Sequence, residues 1–212
     1  MTSIFYTDKA ENEYPTKVLF LHGLEGSSTG SKANQLKDSW GAKCPPLRTQ
    51  ELVKLKKSSL KSWLELDLSD IENSMSDAID DAKDAIRYFQ PDIIIGSSMG
   101  AAVLFKLCLD KTIDTDKTSC VFLAPAIYEL IRPKKKLDLE NSVWIFAELD
   151  EAVNNRENFN ICLGCKGTSI FSKSDTHRLQ KALNSGLIDN AILTLITKKE
   201  YSIFSVIQCR LR

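Results

Sequence analysis

No stretch of this sequence approaches 18 consecutive apolar residues, which leaves no candidate for a membrane-spanning helix. Its opening, MTSIFYTDKAENEY, lacks both the basic start and the apolar centre of a secretory leader, so a soluble, non-secreted, cytoplasmic chain is expected. An excess of either charge is missing too, since 28 Lys and Arg balance 28 Asp and Glu. Without a basic patch interleaved with aromatic residues there is no electrostatic footprint for nucleic acid. The six cysteines (Cys44, Cys108, Cys120, Cys162, Cys165 and Cys209) lack framework spacing, and reduced, mostly buried thiols are expected. Cys162-Leu-Gly-Cys165 is a C-x-x-C, but zinc needs two further ligands and no second pair exists, so no metal or cofactor is expected.

A nucleotide loop is absent as well. GLEGSSTGSKA follows a strand and precedes a helix, as a phosphate-binding loop does. A P-loop requires Gly-Lys-Ser/Thr, whereas Gly30 is followed by Ser31 and only then by Lys32, and no G-x-G-x-x-G occurs there.

What is present reads as an α/β protein. With 43% apolar and 26% charged residues, 212 residues are enough for one domain with a sizeable core. Residues 1–199 are expected to form that domain, with 200–212 an unassigned tail. Strands are expected at 17–21, 92–96, 119–123, 142–149 and 167–171, with short ones at 4–6 and 43–47. Helical patterns fall between them: 32–40 with Ser31 as cap, a long helix opened by a capping box at Ser69–Glu72 and ended by Pro91, a buried helix at 99–109, and two more at 177–185 and 187–197. Leu52 to Leu66, mixed with lysines, is compatible with a short amphipathic helix or a small flap. Strands alternating with helices imply a mainly parallel sheet covered on both faces, with functional groups at the carboxyl ends of its strands.

The chain is organised around Gly96-Ser97-Ser98-Met99-Gly100, a G-x-S-x-G between the apolar strand at 92–96 and the buried helix. A strand that reverses into a helix within one residue forces that residue to positive φ and thrusts its side chain outward. Ser98 is that residue. A serine hydroxyl is a weak nucleophile without a base, and the chain holds only two histidines. His22, directly after the first strand and before Gly23, is expected to be structural; His177, after the last strand, is the candidate base. Asp150, just after the strand that ends at Leu149, is the favoured acid to orient His177, with Asp175, Glu148 and Glu151 as rivals. The order Ser, Asp, His is that of the α/β-hydrolase arrangement. Backbone N–H groups of Met99, at a helix start, and of Leu24, in the loop after the first strand, are the candidate oxyanion donors.

FLHGLEGSSTGSKANQL, IIIGSSMGAAVLFKL, FLAPAIYEL and FAELDEAVNNREN resemble successive blocks of the small YqiA-type esterases of the α/β-hydrolase superfamily. These blocks, with the histidine that follows, span residues 17–177, about three quarters of the chain. The resemblance implies an α/β-hydrolase fold with little or no lid, Ser98 as nucleophile, Asp150 as acid and His177 as base. It also implies a small-molecule acyl ester or thioester as substrate. A departure lies in the last block, where the family's Asp-His and nearby aromatic are replaced by Asp175-Thr176-His177-Arg178-Leu179. Lys32 or Lys134–Lys136 are candidates to meet the phosphates of a CoA-like leaving group. The competing reading is a non-catalytic binding or scaffold protein that retains the same fold.

Overall fold

In the computed structural model the described residues are 16–59 and 61–210, those after 199 by backbone alone. The expected strand at 4–6 lies outside them. Five strands, β1 (Val18–Leu21), β2 (Ile93–Ser97), β3 (Ser119–Leu123), β4 (Ser142–Ala147) and β5 (Thr168–Ser172), form one parallel sheet in sequential order. The register sets Leu21 beside Gly96, Ser97 beside Leu123, and Ala147 beside Ser172. The carboxyl ends of all five strands are therefore level, and the loops leaving them meet above one edge.

Side chains alternate across the sheet, as period-two geometry requires. Leu19, Leu21, Ile94, Cys120, Phe122, Trp144 and Phe146 point to one face; Val18, Phe20, Ile93, Ile95, Val121, Leu123, Val143 and Ile145 point to the other. Crossovers between sequential parallel neighbours are expected to be right-handed and so to place the helices that lead into the next strand on one face. That face carries α2 (Gln50–Ser58), α3 (Leu68–Phe89), α4 (Met99–Leu109), α5 (Ile127–Leu130) and α6 (Asn155–Gly164). The opposite face is covered by α1 (Ser31–Trp40), α7 (Gln180–Asn184) and α8 (Leu187–Arg210). Among the described residues, no helix is long and apolar enough to cross a membrane.

At the centre of the first face, Phe122 stacks on Trp144 with ring centroids 4.1 Å apart, and Phe105 from α4 meets both edge-on. The indole N–H of Trp144 donates to Ser142 Oγ at 2.8 Å, and that hydroxyl donates to the Leu139 carbonyl. Gly167 makes this fit possible, because a Cβ there would lie 2.3 Å from Trp144 Nε1.

Several boundaries differ from the sequence reading, each for a local reason. Asp67, not Ser69, caps α3: its carboxylate accepts from the Ser69 N–H at 2.8 Å, and a capping box forms instead at Ser62–Glu65 around a short 3-10 turn. Gly30 is the N-cap of α1, and Ser31 is its first helical residue. The expected strand at 43–47 reduces to one bridge between Lys43 and Leu19. The segment 52–66 divides between α2 and the turn at Trp63–Glu65. The backbone of 200–210 continues α8.

Candidate active site

The turn from β2 into α4 is built around one strained residue. Ser98 has φ 54° and ψ −114°, the conformation of the first central residue of a type II′ turn, where glycine is usual. Its backbone is held from both sides: the Ser98 N–H donates to the Leu123 carbonyl at 2.8 Å, and the Ser98 carbonyl accepts from Ala101 and Ala102. A Cβ at Gly96 would come within 2.6 Å of Ala101 Cα, so this glycine lets the strand and helix cross. A Cβ at Gly100 would lie 2.1 Å from the Leu21 carbonyl oxygen. Gly100 thus serves the contact of α4 with the end of β1 rather than the bend itself.

Ser98 Oγ is 2.8 Å from His177 Nε2, and His177 Nδ1 is 3.0 and 2.9 Å from the two carboxylate oxygens of Asp150. A carboxylate facing Nδ1 fixes the proton there and leaves Nε2 free to accept from the serine hydroxyl. The Asp150 side chain is 0% exposed and that of His177 20%. Asp150 Oδ1 also accepts from the N–H groups of Ala152 and Val153, which hold the carboxylate in place. With both ring nitrogens of His177 engaged, the rival acids serve elsewhere. Glu148 accepts from the Ser174 N–H, and Glu151 from the His177 N–H.

Asp175 is 3% exposed and accepts from Ser172 Oγ, the Ala182 N–H and the Thr176 N–H, at 2.9, 2.8 and 3.1 Å. Burial pushes this carboxyl up, but these donors together with the Lys181 N–H outweigh it and hold the group below its ordinary value. Asp175 shapes the turn that delivers His177; it does not orient the ring.

The loop after β1 passes directly against Ser98. A Cβ at Gly23 would lie 3.2 Å from Ser98 Cβ, so a glycine is what lets the backbone approach. His22, 5% exposed, braces this loop: Nδ1 donates to the Gly23 carbonyl at 2.8 Å, and Nε2 accepts from the Leu47 N–H at 3.1 Å. Leu24 and Met99 line the same cavity as Ser98. Among the described residues, neither of their N–H groups has an acceptor. The arrangement can therefore transfer a proton from Ser98 Oγ to His177, with the Leu24 and Met99 backbones lining the same cavity.

The cavity at Ser98 and His177 is about 570 Å³, and its apolar wall includes Trp63, Leu130 and Val153. Trp63 belongs to the Leu52–Leu66 segment read as a short helix or a small flap. Arg132 at the end of α5 brings it to that wall, donating from Nη2 to the Trp63 and Leu66 carbonyls. Of the lysines considered, Lys32 lines the cavity, while Lys134–Lys136 are exposed in the loop after α5 and do not. Glu129 of α5 was missed. It is 5% exposed and accepts from the Asn154 N–H at 2.6 Å and Asn158 Nδ2 at 3.0 Å, pinning the end of the loop that carries Asp150. Among the described residues no group of three or more His, Cys, Asp or Glu could hold a metal ion.

No family model matches this sequence, and no curated protein matches it. Solved structures do match. An alpha/beta-superfamily protein from Xanthomonas campestris pv. campestris aligns at TM-score 0.57 and 16% identity, over 84% of this chain and 98% of its own. A metagenome-derived lipolytic enzyme of the LipS and LipT study aligns at TM-score 0.56 and 14% identity, over 87% and 94%. An alpha-beta serine hydrolase homologue from Coxiella burnetii aligns at TM-score 0.54 and 13% identity, over 87% and 86%. With its parallel five-stranded sheet, its helices on both faces and these neighbours, the chain has the α/β-hydrolase fold.

Proposed function

We propose that this chain is a serine hydrolase that cleaves carboxylic esters or thioesters through an acyl-enzyme. The observation that carries the reading is the continuous relay Asp150–His177–Ser98, with hydrogen bonds of 2.9 and 2.8 Å on opposite nitrogens of one imidazole. In this reading Ser98 Oγ attacks the acyl carbon while His177 Nε2 takes its proton. The tetrahedral oxyanion is held by the N–H groups of Leu24 and Met99, each donor typically worth about 3 kcal/mol in the transition state. Collapse expels the alcohol or thiol, protonated by His177, and leaves Ser98 acylated. A water deprotonated by His177 then attacks the ester, and the acid departs as Ser98 regains its proton. Asp150 stabilises the imidazolium that forms twice in the cycle. The lipolytic enzyme and the serine hydrolase homologue among the structural neighbours support the same reaction class.

The test is hydrolysis of 4-nitrophenyl esters from acetate to decanoate by the wild type, Ser98→Ala and His177→Ala, together with labelling by a fluorophosphonate. Saturable turnover and labelling of the wild type, both lost in the variants, are expected. Labelling of the wild type no faster than that of Ser98→Ala would favour a binding protein on the same fold.

A further inference from the structure

Two cations share the wall of the Ser98 cavity. Lys32, in the first turn of α1, is half-buried, and Arg178, the residue after His177, stands exposed at the rim. Among the described residues neither has an ion pair or a hydrogen-bonding partner. The acids that share the neighbourhood are committed: Glu129 to Asn154 and Asn158, Glu151 to the His177 N–H, and Asp175 to Ser172, Thr176 and Ala182. Glu25, in the loop after β1, also lines the cavity and is exposed, as Arg178 is.

The two charges feel each other. Burial pulls the Lys32 ammonium below its ordinary value, Asp175 draws it back up, and Arg178 pushes it further down. The two like charges repel and the half-buried Lys32 is incompletely solvated, and an anion seated between them relieves both costs. Lys32 approaches from the α1 side of the cavity and Arg178 from the His177 side, so such an anion would belong to the molecule presented to Ser98.

Resting on Ser98 as nucleophile, we infer that Lys32 and Arg178 form an anion subsite of this cavity, so that the preferred ester or thioester carries a carboxylate or phosphate group. Two sources share this chemistry: a carboxylate at the far end of the acyl chain, and a phosphate on the leaving group. Matched pairs separate them. Mono-4-nitrophenyl adipate is compared with 4-nitrophenyl hexanoate, and butyryl-CoA with its N-acetylcysteamine thioester, using wild type, Lys32→Met, Lys32→Arg and Arg178→Gln.

The wild type is expected to favour the anionic member of one pair by about tenfold or more in kcat/KM, the usual worth of a charge-assisted hydrogen bond. The pair that shows the preference identifies the source. In Lys32→Met and Arg178→Gln the ratio falls towards one, and in Lys32→Arg most of it remains. If Lys32→Met loses its far-UV dichroism, Arg178→Gln, altered at an exposed rim, carries the comparison. A wild-type ratio near one in both pairs, or a ratio that neither variant moves, overturns the subsite while the hydrolase reading stands. No turnover of any of the four compounds, with fluorophosphonate labelling of the wild type no faster than of Ser98→Ala, overturns the hydrolase reading. Without turnover the subsite is judged by thermal stabilisation of Ser98→Ala by adipate and by pyrophosphate: a shift lost on adding Lys32→Met supports it, and no shift refutes it.

Discussion

The backbone at Ser98 makes a measurable claim about stability. At φ 54° and ψ −114° a residue with a Cβ is strained, typically by about 1–3 kcal/mol, and the surrounding hydrogen bonds to Leu123, Ala101 and Ala102 hold it there. Ser98→Ala keeps the Cβ, and Ser98→Gly removes it. Both lose the 2.8 Å bond to His177 Nε2, so their difference isolates the backbone. Against the strain released, glycine gains freedom in the unfolded chain that costs about 0.5–1 kcal/mol. The net expectation is that Ser98→Gly is more stable than Ser98→Ala by about 1 kcal/mol, or roughly 2–4 °C in Tm for a chain of this size. Urea unfolding at pH 7, followed by tryptophan fluorescence, measures it, with equal m-values as the check that both variants expose the same surface. Ser98→Gly falling below Ser98→Ala by the entropic 0.5–1 kcal/mol would refute the argument, because the turn would then hold no strain.

Other substitutions test the contacts around this turn. Gly100→Ala sets a Cβ against the Leu21 backbone, which cannot yield as a side chain can, and a loss of about 3 kcal/mol with loss of esterase activity is expected in urea unfolding and 4-nitrophenyl ester assays. Asp175→Asn leaves the Ala182 and Thr176 donors poorly matched and should cost about 1–3 kcal/mol at pH 7. Since the folded Asp175 carboxyl lies below its ordinary value of 3.8, its stabilisation is present above that pH and disappears as pH falls through the lower folded value. The stability gap between wild type and Asp175→Asn should therefore close at the acid end; a gap independent of pH would contradict this. Burial raises Cys162 to about 12 and Cys44 to about 11, and the bond with Cys120, followed by burial, raises Cys108. In a Cys209→Ser background these thiols should react with 5,5′-dithiobis(2-nitrobenzoate) at pH 8 only after denaturation. Fast labelling of the native protein would show that the pocketed thiols open readily.

The parallel sheet could be read from the chain because its first four strands are short runs buried on both faces, as at Ile93–Ile95 and Val143–Phe146, while β5, TSIFS, is largely exposed or half-buried. The turn at Ser98 was legible for a different reason: the crossing of strand and helix at Gly96 is local, although Gly100, in the same motif, answers to the distant Leu21 backbone. Asp150 and His177 could be located because a parallel sheet delivers every strand end to the same edge. The order of candidates along the chain then limited which pairs could meet.

What escaped the sequence depends on contacts between residues far apart along the chain. Trp63 reaches the cavity because Arg132, 69 residues later, binds its carbonyl, and no local periodicity encodes that bond. Glu129 reads as an ordinary acid in the helical run IYEL, yet Asn154 and Asn158 satisfy both of its oxygens and make it a buried strut beneath the Asp150 loop. The cap of α3 was missed for a local reason instead: Ser69 and Glu72 match the capping pattern, but Asp67 is two residues earlier and its carboxylate accepts from the Ser69 N–H. The logic of distant contacts applies again to Lys32. A lysine in the first turn of an amphipathic helix is normally solvated, and only the approach of Arg178 on the loop after β5 gives it a like-charged neighbour across a cavity. In the proposed reading, specificity would rest on side chains that helices and loops bring from distant parts of the sequence, while the strand ends carry Ser98, Asp150 and His177.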